Sequence, residues 1–335
     1  MNIFITGAAG GIGSTLALLL TENGHKVLAY DNLHNGYEEN LFENGQSFCR
    51  FIKGDIRDTH YMEMLFDYHE IDVIIHLAAI TSLPECESDP KECFDVNVGG
   101  TASVLNAARK KGIHVIVAST SAIYECNNKE DAPFKEELPV NPRLFYPLSK
   151  KLMEEVIQSY IKNYDMNITT LRFFNVFGPR QDIHRQSPPL LNYIVREIKQ
   201  NRTPTFYSAN GKPRDYIHVN DVVTLIEKCL NRTDRQIFNV CSGTLTSVKD
   251  IVGYAEKAFG KFDYIFKEPK MFWSEYPELY KGTNTIQDFV VENEVNKFSL
   301  GSTDKTRTLL DWNPNTDIES LMIDTMRINY ERYSK

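Results

Sequence analysis

The sequence predicts an α/β fold of the doubly wound kind: a parallel sheet with helices on both faces, with a smaller α/β C-terminal lobe. Three observations predict it. Strand-like and helix-like patterns alternate through the first half of the chain. A glycine-rich string, Thr6-Gly7-Ala8-Ala9-Gly10-Gly11-Ile12-Gly13, joins the first apolar run to the first helical run. A carboxylate, Asp31, closes the second apolar run.

Taken in order, Ile3-Phe4-Ile5 marks a strand over 2–6 and helical spacing follows over 12–23. Gly7, Gly10, Gly11 and Gly13 permit a tight bend and close backbone approach to a pyrophosphate, with the amides at Ile12 pointing at that anion. Val27-Leu28-Ala29-Tyr30 gives a strand over 26–30. Asp31 then stands 18 residues after Gly13, where a carboxylate grips an adenosine ribose. This is the Rossmann-type arrangement. Asp31 accepts from a 2′-hydroxyl and repels a 2′-phosphate, and Asn32-Leu33-His34-Asn35 offers no arginine, so NAD is favoured over NADP. Strands follow at 48–53, 73–77, 113–118 and 168–173, with helices at 58–68, 91–110 and 146–163. After about residue 177, prolines 179, 188, 189, 204 and 213 break the rhythm. Helices at 189–199, 219–230 and 247–258 and a strand at 237–240 complete the legible part, while 261–297 has no clear period. The expected organisation is a cofactor-binding unit over 1–176, with returns near 215–243, and a mainly substrate-binding lobe over 177–335.

The 335 residues carry 37 basic and 45 acidic side chains, a net charge of −8, which argues against general binding to nucleic acid. Six cysteines lie scattered without a CxxC pair, so neither a metal site nor a disulfide framework is expected, and reduced cytoplasmic thiols are the default. A strand starting at residue 2 leaves no room for a signal peptide, and no apolar run approaches the length of a membrane span.

Tyr146-Pro147-Leu148-Ser149-Lys150 opens a helix and sets Tyr146 and Lys150 on one face. A free tyrosine titrates at about 10. Making its phenolate a base near neutral pH takes about 4 kcal/mol of stabilisation, which Lys150 and an oxidised nicotinamide can supply. Ser119-Thr120-Ser121 stands at the end of the strand around Val115–Ala118, where a hydroxyl can bond the oxygen that Tyr146 deprotonates.

With these motifs the chain resembles the extended short-chain dehydrogenase/reductases, specifically the NAD-dependent epimerase/dehydratase group acting on nucleotide sugars. The resemblance rests on TGAAGGIG (6–13), YDNL (30–33), GDIRD (54–58), HLAA (76–79), NVGGT (97–101), STSAIY (119–124), YPLSK (146–150), LRFFNVFGPRQ (171–181), RDYIHVND (214–221) and FNVCSG (238–243). It implies cofactor contacts from the glycine turn, Asp31, Asn32, Ser119 and Lys150. Asp55 and Ile56 would edge the adenine, and Leu77, Ala78 and Ala79 would line the nicotinamide side. Asn97 would support the pocket. Phe173, Asn175 and Val176 would orient the carboxamide and meet the substrate. Tyr146 would be the base, Ser121 would bond the sugar hydroxyl and Arg214 would meet the nucleotide diphosphate, with an ion pair to Asp215 as the rival reading of Arg214.

The resemblance also bears on the reaction. Dehydratases of the group place an Asp-Glu pair after the catalytic hydroxyl, and decarboxylases a Glu. Ala122 and Ile123 carry no proton, so an epimerase acting at C4 is favoured. A C4 dehydrogenase or reductase releasing a keto sugar, and a non-catalytic NAD-binding regulator, remain the alternatives. The stretch 294–299 lacks the arginine that many members place there, with Lys297 as a substitute. Ser299 falls where pocket width is set and would leave room for an acetamido group. The aromatic stretch 270–290 points to a sugar other than galactose. The resemblance further implies a homodimer through helices 91–110 and 146–163, with Val98, Ala102, Leu105 and Ala108 either supplying part of the apolar face or simply packing on the sheet, and a place in polysaccharide precursor synthesis.

Overall fold

The computed structural model describes residues 1–127, 129–207 and 212–333; residues 208–211 and 334–335 of the expected second lobe lie outside the described residues. Seven strands form one sheet in the order Ile237–Val240, Ile168–Phe173, His114–Thr120, Val73–His76, Asn2–Thr6, Lys26–Asp31, Arg50–Lys53, every neighbour parallel. Continuous apolar runs such as Ile3-Phe4-Ile5 form these strands because both faces of the sheet are covered. Alternation sends Ile3 and Ile5 to a core shared with Leu16 and Leu20 of helix Gly11–Glu22 and Val222 and Ile226 of helix Val219–Cys229. Phe4 goes to the opposite core, with Val104, Leu105, Met153 and Ile157.

The chain builds outward in one direction from Asn2–Thr6 to Arg50–Lys53, then returns to the other side at Val73–His76. The strand ends diverge there and open a crevice. Gly7, at φ +69°, sits at that switch, and a Cβ on it would stand 2.7 Å from the Ala78 amide nitrogen.

The predicted helix over 91–110 is interrupted. Pro90–Phe94 leads into a π-helical turn, Asp95–Gly100, before Thr101–Arg109 resumes. Leu105 and Ala108 take the second of their two expected placements, fully buried in the core against the sheet. The strand predicted to end at residue 118 runs on through Thr120, with consequences for the site.

Beyond residue 177, helix Val219–Cys229 and strand Ile237–Val240 join the main sheet. Helices Leu190–Lys199, Val248–Phe259 and Ile318–Arg332 share a separate core with Phe177 and Phe206. A small sheet pairs Arg214–His218 with Asn175–Phe177 and Leu245–Thr246. The stretch without period contains the short turns Pro269–Glu275 and Pro277–Tyr280 and the helix Asp288–Val295. Trp273, Tyr276, Leu279 and Val291 bury against Leu144 just before the Tyr146 helix. Among the described residues no helix is long and apolar enough to cross a membrane, and no His/Cys/Asp/Glu cluster could hold a metal ion. The six cysteines are free.

Candidate active site

The crevice holds a cavity of about 470 Å³. One wall is the glycine turn. A Cβ at Gly13 would stand 2.2 Å from the Gly7 carbonyl oxygen, so the turn closes only with glycine there. Helix Gly11–Glu22 starts with no side-chain cap and no acidic residue in its first turn, and Gly10, Gly11, Ile12 and Gly13 face the cavity. The Gly10 amide is held by the Gly7 carbonyl (3.2 Å), and the amides of Gly11, Ile12 and Gly13 at the positive end of the helix make an anion cradle. Beside it, Asp31 accepts from the amides of Ala9 (3.0 Å) and Leu33 (2.7 Å). Burial pushes its carboxyl up, and the two amides pull it back. Its remaining lone pairs face the cavity next to Asn32, as a ribose diol requires.

Asp55 and Ile56 line the next section. The Asp55 carboxylate is gripped by Arg57 (2.7 and 3.0 Å), which holds it below its usual range. Leu77, Ala78 and Ala79 form the facing wall. Asn97 lies behind that wall and is fully buried. Its side chain clamps Ile80, accepting from the Ile80 amide (2.8 Å) and donating to its carbonyl (2.9 Å), and also donates to Ser149 Oγ (3.0 Å). The π-helical turn that interrupts the predicted helix carries this clamp.

Tyr146, Lys150, Ser119, Thr120, Phe173, Asn175 and Val176 close the inner end. Lys150 Nζ donates to the Ala118 carbonyl (3.0 Å), and burial pulls its pKa down to about 8. Burial pushes the Tyr146 phenol up to about 12, and the nearby Thr120 hydroxyl and Arg185 charge oppose that rise. In the resting protein Tyr146 therefore keeps its proton.

Two sequence expectations are corrected. Ser121 is not in the cavity wall; it opens the buried turn Ser121–Tyr124, and Thr120 is the hydroxyl that meets Tyr146. The strand end lies two residues later than expected, and this puts Thr120 rather than Ser121 in the cavity wall. The residues after the hydroxyl are then Ser121 and Ala122, neither a carboxylic acid, so the argument against elimination stands. Ser299 also lies off both cavities. It is buried beneath Asn175, whose Nδ2 reaches its Oγ at 3.4 Å, and its carbonyl accepts the Asp215 amide.

A second cavity, about 420 Å³, continues outward; Thr81, Arg185 and Pro189 line both. Arg214 lines this outer cavity with Lys212, Phe206, Tyr207 and Phe272, whereas Lys297 does not. The ion pair of Arg214 with Asp215 is not what forms. The buried Asp215 carboxylate accepts from the Ser242 amide and hydroxyl and from the Gly243 and Gly301 amides. Sequence reasoning missed Arg185 and a network beneath the site. In it Arg172 pairs with Glu154 (2.7 Å) and donates to Tyr124 Oη (2.7 Å), and Ser119 donates to Glu154 (2.5 Å).

A switch-point crevice with an anion cradle, a carboxylate beside it at the end of the second strand and a Tyr–Lys pair defines the class of dinucleotide-dependent short-chain enzymes. More narrowly, a model of the NAD dependent epimerase/dehydratase family matches residues 3–241, and the chain belongs to that family. It is 34% identical over 254 residues to the UDP-glucose 4-epimerase of Mycolicibacterium smegmatis, covering 75% of this chain and 80% of that one. The UDP-glucose 4-epimerase of Thermotoga maritima, solved with UDP-glucose, superposes with a TM-score of 0.86 at 26% identity over all of both chains. The Thermus thermophilus UDP-glucose 4-epimerase, solved with NAD, gives 0.82 at 26% identity over 99% of each.

Proposed function

We propose that the protein is an NAD-dependent nucleotide-sugar epimerase that inverts C4 through a transient 4-keto sugar, with Tyr146 as base. The observation that carries the reading is that the Tyr146 phenol, the Thr120 hydroxyl and Lys150 line one cavity, which opens into a second, cation-bearing one. The glycine turn and Asp31 would hold the cofactor's pyrophosphate and ribose, and Lys150 would hold the nicotinamide ribose. NAD, when bound, supplies a hydride acceptor that returns the hydride to the same carbon.

The chain's own residues handle the proton. The Thr120 hydroxyl can accept from the sugar hydroxyl while donating to the Tyr146 phenolate, and so bridge the two. Lys150, buried 4 residues on, supplies the positive charge that a phenolate needs. Asn175 faces the sugar side. Arg214 and Lys212 are the cations available to a diphosphate, and the aromatic side chains of Tyr207, Phe206 and Phe272 are suited to stacking a base. No acid follows Thr120, so the keto sugar has no partner for loss of water and must take the hydride back. On this reading residues 1–176 chiefly hold the cofactor and 177–335 chiefly hold the substrate. The same reading makes the protein a cytoplasmic homodimer acting in polysaccharide precursor synthesis.

A proton NMR time course with UDP-, GDP- and dTDP-sugars, no NAD added, tests the reading. A C4 epimer without net NADH is expected, and Tyr146→Phe should abolish it while NAD still binds. Release of a keto sugar that needs added NAD would overturn it in favour of a dehydrogenase.

A further inference from the structure

Arg185 is a cation that the cofactor cradle does not use, and its charge also favours the phenolate of Tyr146. It lines both cavities at the point where they meet. Its backbone is fixed: its amide donates to Asp182 (3.3 Å) and its carbonyl accepts from Arg196 (3.0 Å). Its Nε is buried and has no hydrogen-bond partner among the described residues. Burial disfavours its charge, and the Tyr146 and Tyr276 hydroxyls are among the groups that feel it.

The two carboxylates near it are engaged elsewhere. Glu85 pairs with His34 (2.6 Å), and Asp182 accepts from the Tyr37 hydroxyl (2.8 Å) and the His184 amide (2.8 Å). A guanidinium held in a pocket with an unsatisfied donor is costly unless an anion arrives to meet it. The diphosphate has its own cations, because Lys212 and Arg214 line only the outer cavity. The anion that meets Arg185 therefore lies nearer Tyr146, on the sugar itself.

Resting on the epimerase reading, we propose that Arg185 recognises a carboxylate carried by the sugar, so that the preferred substrate is a nucleotide-linked uronic acid. C6 is attached to C5, the neighbour of the reacting C4, so a C6 carboxylate lies within two bonds of that carbon. The planar fork of arginine can take such a carboxylate in two parallel hydrogen bonds.

The test compares UDP-glucuronic acid with UDP-glucose, which differ only at C6. Turnover is followed by NMR, and affinity by calorimetry on the NAD-loaded protein. Wild type should favour the acid by about 10- to 100-fold in both kcat/KM and Kd, the span expected for a charged hydrogen-bonded pair. Arg185→Gln should lose that preference, weakening the acid about 10- to 100-fold more than the neutral sugar in both kcat/KM and Kd, and Arg185→Lys, which keeps the charge, should retain part of it. Equal losses on both sugars would overturn the proposal and give Arg185 to the diphosphate or to Tyr146. Wild-type preference for UDP-glucose would overturn it as well. If neither sugar is epimerised, the epimerase reading fails, and the affinities still decide whether Arg185 reads a carboxylate.

Discussion

Replacing Lys150 with methionine should abolish turnover and stabilise the cofactor-free protein. The lysine is 4% exposed, and its Nζ donates to the Ala118 carbonyl (3.0 Å) and lies 3.7 Å from Met153 Sδ. Burial moves its pKa from 10.5 to about 8. At about 1.4 kcal/mol per pH unit, holding the charge costs the folded state about 3 kcal/mol at pH 7. Losing the bond to Ala118 gives back about 1 kcal/mol, so the net gain is about 2 kcal/mol. Unfolding entropy of about 2 cal/mol/K per residue makes that a rise in Tm of about 3 °C for a chain of this length. The sign with pH follows from linkage. Below pH 8 the lysine is charged whether folded or unfolded, and the cost is constant. Between pH 8 and 10.5 the unfolded chain still holds a proton that the folded one has lost, so wild type gains stability with rising pH and the advantage of the variant disappears. Urea unfolding of both proteins at pH 7 and pH 10 measures this. A Lys150→Met protein less stable than wild type at pH 7, or an advantage that persists at pH 10, would refute the reasoning.

Three further outcomes follow from the site. Thr120→Val should lower kcat by about 100-fold or more, as loss of a proton-handling group does, whereas Ser121→Ala should leave kcat close to wild type; steady-state kinetics of the pair separates the two hydroxyls. Asp31→Asn should weaken NAD by about 10- to 100-fold and narrow the preference for NAD over NADP, read by fluorescence titration with both cofactors. Arg172→Met should cost about 3–5 kcal/mol in urea unfolding, because it strands Glu154 as a buried, unpaired charge.

The sheet was legible because its strands are buried on both faces and so appear as unbroken apolar runs. Boundaries were less so. Val115–Ala118 announces its strand, but Ser119 and Thr120 extend it with polar side chains that only the neighbouring strand and Tyr146 explain. That slip of two residues put Ser121 in the site in place of Thr120. The stretch after residue 261 stayed unreadable for a different reason. Trp273, Tyr276 and Leu279 reach their core from short 3-10 turns, which leave no helical or strand period. Arg185 is invisible in sequence because a loop residue beside His184 and Gln186 carries no pattern. Its meaning comes from where the loop lays it.

The network under the site explains how a chain with its reacting groups on separate elements keeps them in register. Thr120 ends one strand, Phe173 ends the next, and Tyr146 and Lys150 ride on helix Phe145–Tyr164. Glu154, on that same helix, accepts from Ser119 of the first strand and from Arg172 of the second, so one carboxylate ties all three elements together one layer below the chemistry. Asn97 does the same from the other side, joining the Ile80 loop to Ser149 of the same helix. Apolar packing alone would allow the helix to slide by a fraction of a turn, which would carry Tyr146 away from Thr120. Directional bonds on both flanks remove that freedom, so the polar groups buried here serve placement of the reacting pair more than net stability.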